Sequence, residues 1–140
     1  MKITLCGSIA FYNQMLEKKS ELEKLGYEVN LPPAEWPGEH GEMVSTKDFY
    51  TIRHQATKND TWVWDRKKGA ILSHFNKVAW ADAILVLNYN KNNILGYIGA
   101  NTLMEMGIAL YLNKPIYLLN PIPEMPYSEE IRGMKPIMWQ

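Results

Sequence analysis

Short apolar runs alternate with amphipathic segments along the first 33 residues. Residues 2–6 (KITLC) form an apolar run that is typical of a buried strand. Residues 11–25 carry apolar side chains at helical spacing among Glu and Lys, and Gly26 follows as a C-cap. Residues 27–31 predict a second strand, which Pro32 stops. The pattern therefore predicts a β-α-β unit, for which a parallel sheet is the natural solution.

The same alternation resumes after residue 60. The uninterrupted apolar run of residues 83–87 (AILVL) is typical of a central strand that is covered on both faces. The elements predicted in this part are a helix at 62–81, strands at 83–87 and 116–119, helices at 102–112 and 128–132, and an edge strand at 136–139. Residues 1–140 are thus predicted to form one three-layer α/β domain with about five parallel strands, flavodoxin-like in outline.

Residues 34–60 interrupt this regular pattern. The segment is rich in Pro, Gly and polar residues, and we expect an irregular surface insertion with one short helix. Four aromatic residues cluster in or next to it: Trp36, Tyr50, Trp62 and Trp64. They can stack on a base or pack against a second subunit, and the sequence leaves both alternatives open.

Composition and charge exclude several classes of partner. Lys and Arg total 15 and Asp and Glu total 15, so we expect neither a nucleic acid nor a membrane as partner. The single cysteine, Cys6, cannot form an internal disulfide, and no Cys/His group has metal-ligand spacing. These features suit a reducing compartment, and the expected location is the cytoplasm.

Three segments are predicted to meet at the carboxyl edge of the sheet, where open α/β sheets bind ligands. They are Gly7-Ser8 after the first strand, Asn88 after the central strand, and the loop that enters the helix at 102–112. Gly7-Ser8 is either a phosphate cradle or a tight turn with a helix cap. The chain contains neither a dinucleotide fingerprint nor a P-loop, so nothing indicates NAD or ATP.

Glu105 is the sharpest candidate for chemistry. It is predicted to lie in the first turn of its helix among apolar neighbours, where a partly desolvated carboxylate can attack the anomeric carbon of a sugar. The alternative is structural, because Thr102 and Glu105 have the spacing of a capping box.

The other titratable candidates lie on the predicted helix at 62–81, in the insertion and on the first strand. His74 is either a general acid or an ordinary histidine at the core edge. His40 and His54 are expected on the surface, and Cys6 is expected to serve in packing rather than as a nucleophile.

At Glu105 the sequence resembles a known family. Residues 5–9 (LCGSI), 81–88 (ADAILVLN), 99–109 (GANTLMEMGIA) and 113–115 (NKP) are similar, in order and spacing, to the nucleoside 2-deoxyribosyltransferase superfamily. That superfamily includes the deoxynucleoside 5′-monophosphate N-glycosidases. The likeness extends from residue 2 to about residue 119 and fails between residues 34 and 60.

The resemblance implies cleavage or transfer at the N-glycosidic bond of a nucleoside or nucleoside 5′-monophosphate, with no metal or organic cofactor. It implies that Glu105 is the nucleophile that forms a glycosyl ester. It places Gly7 and Ser8 on the turn that touches the sugar or 5′-phosphate, and Asn101 and Thr102 on the turn into the catalytic helix. It also implies a homodimer or larger homo-oligomer in which the neighbouring subunit completes each pocket.

The chain departs from the family at three places. Thr4 corresponds to the tyrosine that positions the glutamate, and His74 corresponds to the aspartate that protonates the leaving base. A histidine can perform that proton transfer. No arginine follows Ser8. Two alternatives therefore stay beside the enzyme: a non-catalytic nucleotide-binding or regulatory protein on the same scaffold, and a subunit that uses its aromatic segment as an interface.

Overall fold

The fold consists of seven strands and five helices. In the computed structural model, which describes residues 1–140, a short 3-10 turn at Ile9–Phe11 precedes the first helix. The elements are, in chain order, β1 (Lys2–Cys6), α1 (Tyr12–Lys24), β2 (Glu28–Asn30), β3 (Glu35–Pro37), β4 (Met43–Ser45), α2 (Thr46–Gln55), α3 (Thr61–Trp80), β5 (Ala83–Val86), α4 (Ala100–Tyr111), β6 (Ile116–Leu118), α5 (Ser128–Gly133) and β7 (Ile137–Met138).

Five strands form one parallel sheet in the order β2-β1-β5-β6-β7. β1 lies between β2 and β5, with Ile3 opposite Val29 on one side and Ala83 on the other. The chain therefore winds outward in one direction from β1 to β2 and in the other from β5 to β7. The point where the direction changes lies between the carboxyl ends of β1 and β5, and such a point is where α/β sheets bind ligands.

Alternating side chains of the strands divide the core between the two faces of the sheet. On one face Leu5 and Leu85 pack with Met15 of α1. On the other face Cys6 and Val86 pack in a cluster that includes side chains of α3, α4 and α5. The result is the predicted three-layer α/β arrangement. Because successive side chains of a strand point to opposite faces of the sheet, every second side chain of β1 faces α3 and α4.

Most predicted elements are confirmed within one or two residues at their ends. The predicted helix at 11–25 is divided into the 3-10 turn and α1, and it ends as expected before Gly26, whose φ of +95° is a conformation that favours glycine. The predicted edge strand shrinks to two residues, β7, which pairs in parallel with β6. None of the helices combines the length and apolar composition that a bilayer crossing requires.

The short helix expected within residues 34–60 is present as α2, whereas the part expected to be irregular contains two short strands. β3 and β4 form an antiparallel hairpin, and α2 follows directly, with its first turn capped by the Ser45 hydroxyl, which accepts from the Asp48 amide at 3.0 Å. Trp36 Nε1 donates to the Arg66 carbonyl at 3.2 Å, and the Arg66 guanidinium donates back to the Gly38 carbonyl. Docking on α3 therefore stabilises a hairpin that local propensity does not indicate.

Candidate active site

A cleft lies beside the carboxyl ends of β1 and β5 and is walled by α2, α3, α4 and the β3–β4 hairpin. It has two adjoining chambers, which we call the inner chamber (about 110 Å³) and the outer chamber (about 420 Å³). The two chambers share five lining residues: Gly7, Ile9, Arg53, Lys67 and Asn101. The outer chamber has a volume typical of small-molecule sites, and the inner chamber is a smaller recess beside it.

Glu105 lines the inner chamber from α4. It lies in the second turn of the helix, since the N-cap is Gly99 and the helix begins at Ala100. The expectation of a first-turn position is therefore wrong, and so is the capping-box alternative, because Thr102 is inside the helix and is not its cap. Glu105 is only 8% exposed, so its carboxyl group is held in a nearly dry wall of the cleft.

His74 and Cys6 lie against Glu105. His74 Nε2 is 3.6 Å from Glu105 Oε1 and 3.6 Å from Cys6 Sγ. His74 projects from α3, Glu105 from α4 and Cys6 from the end of β1, and all three are buried. The two residues singled out as catalytic candidates are thus brought together, whereas Cys6 is an additional neighbour that sequence reasoning assigned to packing alone.

Burial controls the protonation of this cluster. It raises the pKa of Glu105 from 4.5 to about 8, an effect that the Cys6 hydrogen bond and the Lys67 charge only partly offset. Burial and the nearby Lys77 charge lower the pKa of His74 from 6.5 to about 4. Burial also raises the pKa of the Cys6 thiol. Near pH 7 the pair His74–Glu105 therefore carries no charge and holds a single ionisable proton, on the glutamate.

Three cationic side chains line the cleft although the chain has no net charge. Lys67 and Arg53 lie at the junction of the two chambers, and burial together with the neighbouring Arg53 lowers the pKa of Lys67 to about 8. Arg53 rests on the rings of Phe49 and Tyr50, 5.1 Å and 5.5 Å from their centroids. Lys91, from the loop after β5, is the third cation and lines the outer chamber.

The turn after β1 forms the floor of the cleft. Gly7 packs so closely that an added Cβ would lie 3.0 Å from the Met15 side chain and 3.2 Å from the Leu87 carbonyl oxygen. Ser8 caps the 3-10 turn by accepting from the Ala10 amide at 3.3 Å, and it also accepts from Lys91 Nζ at 2.9 Å. The turn therefore caps a helical turn, as one alternative expected, and it also lines the cleft, while the phosphate cradle stays a prediction.

Asn101 and Thr102 line the cleft, but Asn88 does not. Asn101 contacts both chambers, and the buried Thr102 contacts the outer one. The Asn88 amide is fully buried and is occupied by residues after β6: Nδ2 donates to the carbonyls of Asn120 and Pro121, and Oδ1 accepts from the Asn120 amide at 2.9 Å. The expectation that Asn88 contacts substrate is therefore corrected, because the side chain is fully buried outside both chambers and both of its polar atoms bond to residues after β6.

The aromatic residues of the insertion divide between the chambers. Trp36 lines the inner chamber, and Tyr50 and Trp64 line the outer one. Trp62 instead packs on Phe49, with ring centroids 6.5 Å apart. The exposed His54 stacks on Tyr50 with ring centroids 3.9 Å apart, so one of the two surface histidines borders the outer chamber.

Thr4 does not reach Glu105. It is fully buried two residues before Cys6 on the same face of β1, and its hydroxyl donates to the Lys77 carbonyl of α3 at 2.7 Å. Cys6, one step nearer the carboxyl end of the strand, is the β1 side chain that contacts the glutamate. The alternation along β1 brings Cys6 into this position, and no pattern in the sequence distinguishes it from an ordinary core cysteine.

The parallel sheet, with a cleft at the point where its strand order reverses, defines a doubly wound α/β domain. The chain shares its fold with a CMP N-glycosidase from Clostridium botulinum, with a TM-score of 0.52 at 15% identity, over 100% of this chain and 90% of that one. This likeness confirms the fold that the sequence resemblance implied.

Two further solved structures align less well. One is a 2-deoxyribosyltransferase from Bacillus psychrosaccharolyticus (TM-score 0.49, 16% identity, 84% of this chain and 71% of that one). The other is a conserved protein from Enterococcus faecalis V583 (TM-score 0.47, 16% identity, 96% and 74%). No protein-family model matches the chain, and no curated protein matches it.

Proposed function

We propose that this protein cleaves, or transfers at, the N-glycosidic bond of a nucleotide, with Glu105 as the nucleophile. The observation that carries the proposal is the position of Glu105, buried in the wall of the inner chamber with a histidine 3.6 Å from its carboxyl oxygen. The shared fold with a CMP N-glycosidase supports the same class of reaction.

The reaction begins with the proton that the pair already holds. Glu105 loses its proton to His74, and the resulting carboxylate attacks the anomeric carbon while His74 protonates the leaving base. The carbon–nitrogen bond breaks as the glycosyl–oxygen bond forms, and both side chains end uncharged. A contact of 3.6 Å is longer than a hydrogen bond, and catalytic contacts of this kind commonly shorten when substrate binds.

In the second half of the reaction, the sugar is released from Glu105. Water, or a second base, attacks the anomeric carbon of the glycosyl ester, and His74 accepts the proton that the attacking group loses. The Glu105 carboxylate leaves and recovers its proton from His74. The role that the family gives to an aspartate is thus assigned to a histidine whose pKa is lowered by burial, so that it is free to accept a proton near pH 7.

The cationic lining favours a nucleoside 5′-monophosphate over a free nucleoside. Arg53, Lys67 and Lys91 present positive charge to the cleft, and the Ser8 hydroxyl lies 2.9 Å from Lys91 Nζ. A phosphate group is the anion that suits such a set of donors. With the sugar at Glu105, the phosphate occupies the outer chamber, beside Ser8, Asn101 and Thr102.

The inner chamber suits the base. Its lining includes the aromatic rings of Trp36, Phe49 and Phe75 and the two prolines Pro32 and Pro33. Flat apolar surfaces of this kind stack on any base and release it without a specific partner. We therefore place the base between the hairpin and α3.

We also propose that the protein acts as a homo-oligomer. Several large apolar side chains of α4 and the residue after it are exposed: Met104, Leu110, Tyr111 and Leu112. Exposed apolar groups gathered on one helix are typical of an association surface. Light scattering over a range of protein concentrations tests this, and a monomer at every concentration contradicts it.

The experiment that tests the reaction measures base release from ribo- and deoxyribonucleosides and from their 5′-monophosphates. We expect release from monophosphates, a loss of at least about 1000-fold in Glu105→Gln, and unchanged release in the control Glu130→Gln, an exposed glutamate on α5. Mass spectrometry of rapidly quenched protein should show a sugar phosphate attached to the peptide that contains Glu105.

Two results would overturn the proposal. Base release that persists in Glu105→Gln removes the nucleophile, and binding without release from any substrate favours the non-catalytic nucleotide-binding alternative. A labelled peptide elsewhere in the chain would reassign the nucleophile.

A further inference from the structure

The same three side chains that meet at the inner chamber are also three metal ligands. Cys6 Sγ, His74 Nε2 and a Glu105 carboxylate oxygen all lie within 4.8 Å of one another. Thiolate, imidazole and carboxylate are the groups that bind zinc in proteins. They come from β1, α3 and α4, so no spacing in the sequence indicates them.

The two atom separations at His74 match the spacing of neighbouring ligands around a tetrahedral ion, although the His74–Cys6 contact at 3.6 Å is also a sulfur hydrogen bond. Zinc bonds of about 2.0–2.3 Å at tetrahedral angles place neighbouring ligand atoms about 3.4–3.6 Å apart. The observed His74–Glu105 and His74–Cys6 separations are both 3.6 Å. A nitrogen–oxygen hydrogen bond would instead bring His74 and Glu105 to about 2.7–3.2 Å.

We propose that Cys6, His74 and Glu105 bind one zinc-like divalent cation, with its fourth position open to the inner chamber, and that this cation inhibits the protein reversibly. Binding displaces the thiol proton of Cys6 and the carboxyl proton of Glu105, and it takes up the Nε2 lone pair of His74. The ion keeps its +2 oxidation state throughout. The metal site goes beyond the proposed glycosidic reaction, and only the inhibitory consequence rests on it.

The cation inhibits the reaction because it binds the same atoms of Glu105 and His74 that the reaction uses. An oxygen of Glu105 that is bonded to a cation is no longer available to attack a sugar, and His74 bound through Nε2 can no longer exchange a proton. The chamber on the open side has room for a water molecule as the fourth ligand, which is the arrangement of open zinc sites. The cluster is therefore either a nucleophile with its proton carrier or a metal centre, and not both at once.

The test uses Co²⁺ alone as the probe, added to the full chain after treatment with a chelator. Because Cys6 is the only cysteine, a thiolate-to-cobalt charge-transfer band in the near ultraviolet can arise only from this site. We expect the band to saturate at one Co²⁺ per chain, and we expect Zn²⁺ to abolish it, since zinc binds such ligands more tightly than cobalt.

Variants assign the ligands. Cys6→Ser should remove the band, and His74→Ala should weaken Co²⁺ binding roughly 10-fold or more. The control is His40→Ala, which changes an exposed histidine in the turn of the hairpin. It should leave both the charge-transfer band and the affinity for Co²⁺ unchanged. If Cys6→Ser does not fold, the titration of the unmodified chain still decides: no band at saturating Co²⁺, or Co²⁺ bound without a band, overturns the proposal.

Activity measurements separate this proposal from the proposed function. Zn²⁺ should abolish base release, and a chelator should restore it. A cobalt band in a protein that releases no base supports the metal site and contradicts the glycosidase. Base release that occurs without a cobalt band and is unaffected by Zn²⁺ supports the glycosidase and contradicts the metal site.

Discussion

Lys91 donates a hydrogen bond to the Ser8 hydroxyl at 2.9 Å and so joins the loop after β5 to the turn after β1. The ammonium group also lies 5.1 Å above the ring of Tyr97. This bond spans the point where the strand order reverses, and it holds a cation beside the turn on which we place the phosphate.

Lys91→Met removes that cation and is expected to raise KM for 5′-monophosphates about 10-fold or more while changing kcat little, because the lost interaction is the same in the ground state and the transition state. Steady-state kinetics on paired nucleosides and monophosphates provides the measurement. Lys24→Met, an exposed lysine at the end of α1, is the matched control. An equal rise in KM for free nucleosides would mean that Lys91 acts on the turn and not on a phosphate.

Glu105→Gln is expected to change how stability depends on pH. The pKa of Glu105 is raised to about 8, so the folded protein keeps a proton that the unfolded chain loses above about pH 4.5. The free energy of unfolding therefore falls as pH rises towards 8, and the glutamine variant lacks this fall. Between pH 6.5 and 8, where His74 is neutral in the folded state and titrates alike in the unfolded state of both proteins, we expect a relative gain of roughly 1–2 kcal/mol for the variant.

Urea unfolding of chelator-treated protein at pH 6.5 and pH 8 measures this difference. Glu130→Gln should follow the unmodified protein at both values. A parallel pH dependence in Glu105→Gln would show that the Glu105 carboxyl group is ionised in the folded state at neutral pH.

Asn88→Ala is expected to destabilise the fold by about 2–4 kcal/mol, because it leaves the Asn120 amide and the Pro121 carbonyl without their buried partner. At a temperature where the variant is folded, its kcat/KM should stay within about 2-fold of the unmodified value. Asn76→Ala, at an exposed position on α3, should change neither quantity. A large loss of activity with stability intact would restore Asn88 to the substrate site.

Trp36→Ala removes both an aromatic wall of the inner chamber and the bond from Nε1 to the Arg66 carbonyl. We expect KM to rise about 10-fold, and Trp36→Phe, which keeps a ring but loses the donor, to cause a smaller rise. Trp80→Phe at the far end of α3 is the control. Equal effects of Trp36→Ala and Trp36→Phe would assign the whole contribution of Trp36 to anchoring the hairpin.

The parallel sheet was predictable because its central strand, Ala83–Val86, is a fully apolar run, which is typical of a strand buried on both faces. The hairpin was not predictable, since its strands are only three residues long and one of them contains Pro37. The contacts that stabilise it come from Arg66 on a helix about 30 residues away. Tertiary docking decided this segment, and propensity did not.

The site was predictable in part. Glu105 and His74 were found as separate candidates, and their contact follows from the packing of α3 on α4, which no local pattern encodes. Glu105 was placed one turn too early because Thr102 has a capping residue's chemistry, while the helix begins after Gly99. The places of Cys6, Arg53 and Lys67 in the site were missed because they depend on contacts with residues of other helices and strands.

The position of β1 in the middle of the sheet has a consequence for how the protein is made. β1 pairs with β5, so Cys6 lies opposite Val86, 80 residues further along the chain. During synthesis the first strand has no partner on that side until most of the chain is present, and contacts of such long sequence separation make folding slow. A chain shortened before α4 lacks Glu105 and one wall of the cleft, so it contains no complete copy of the site.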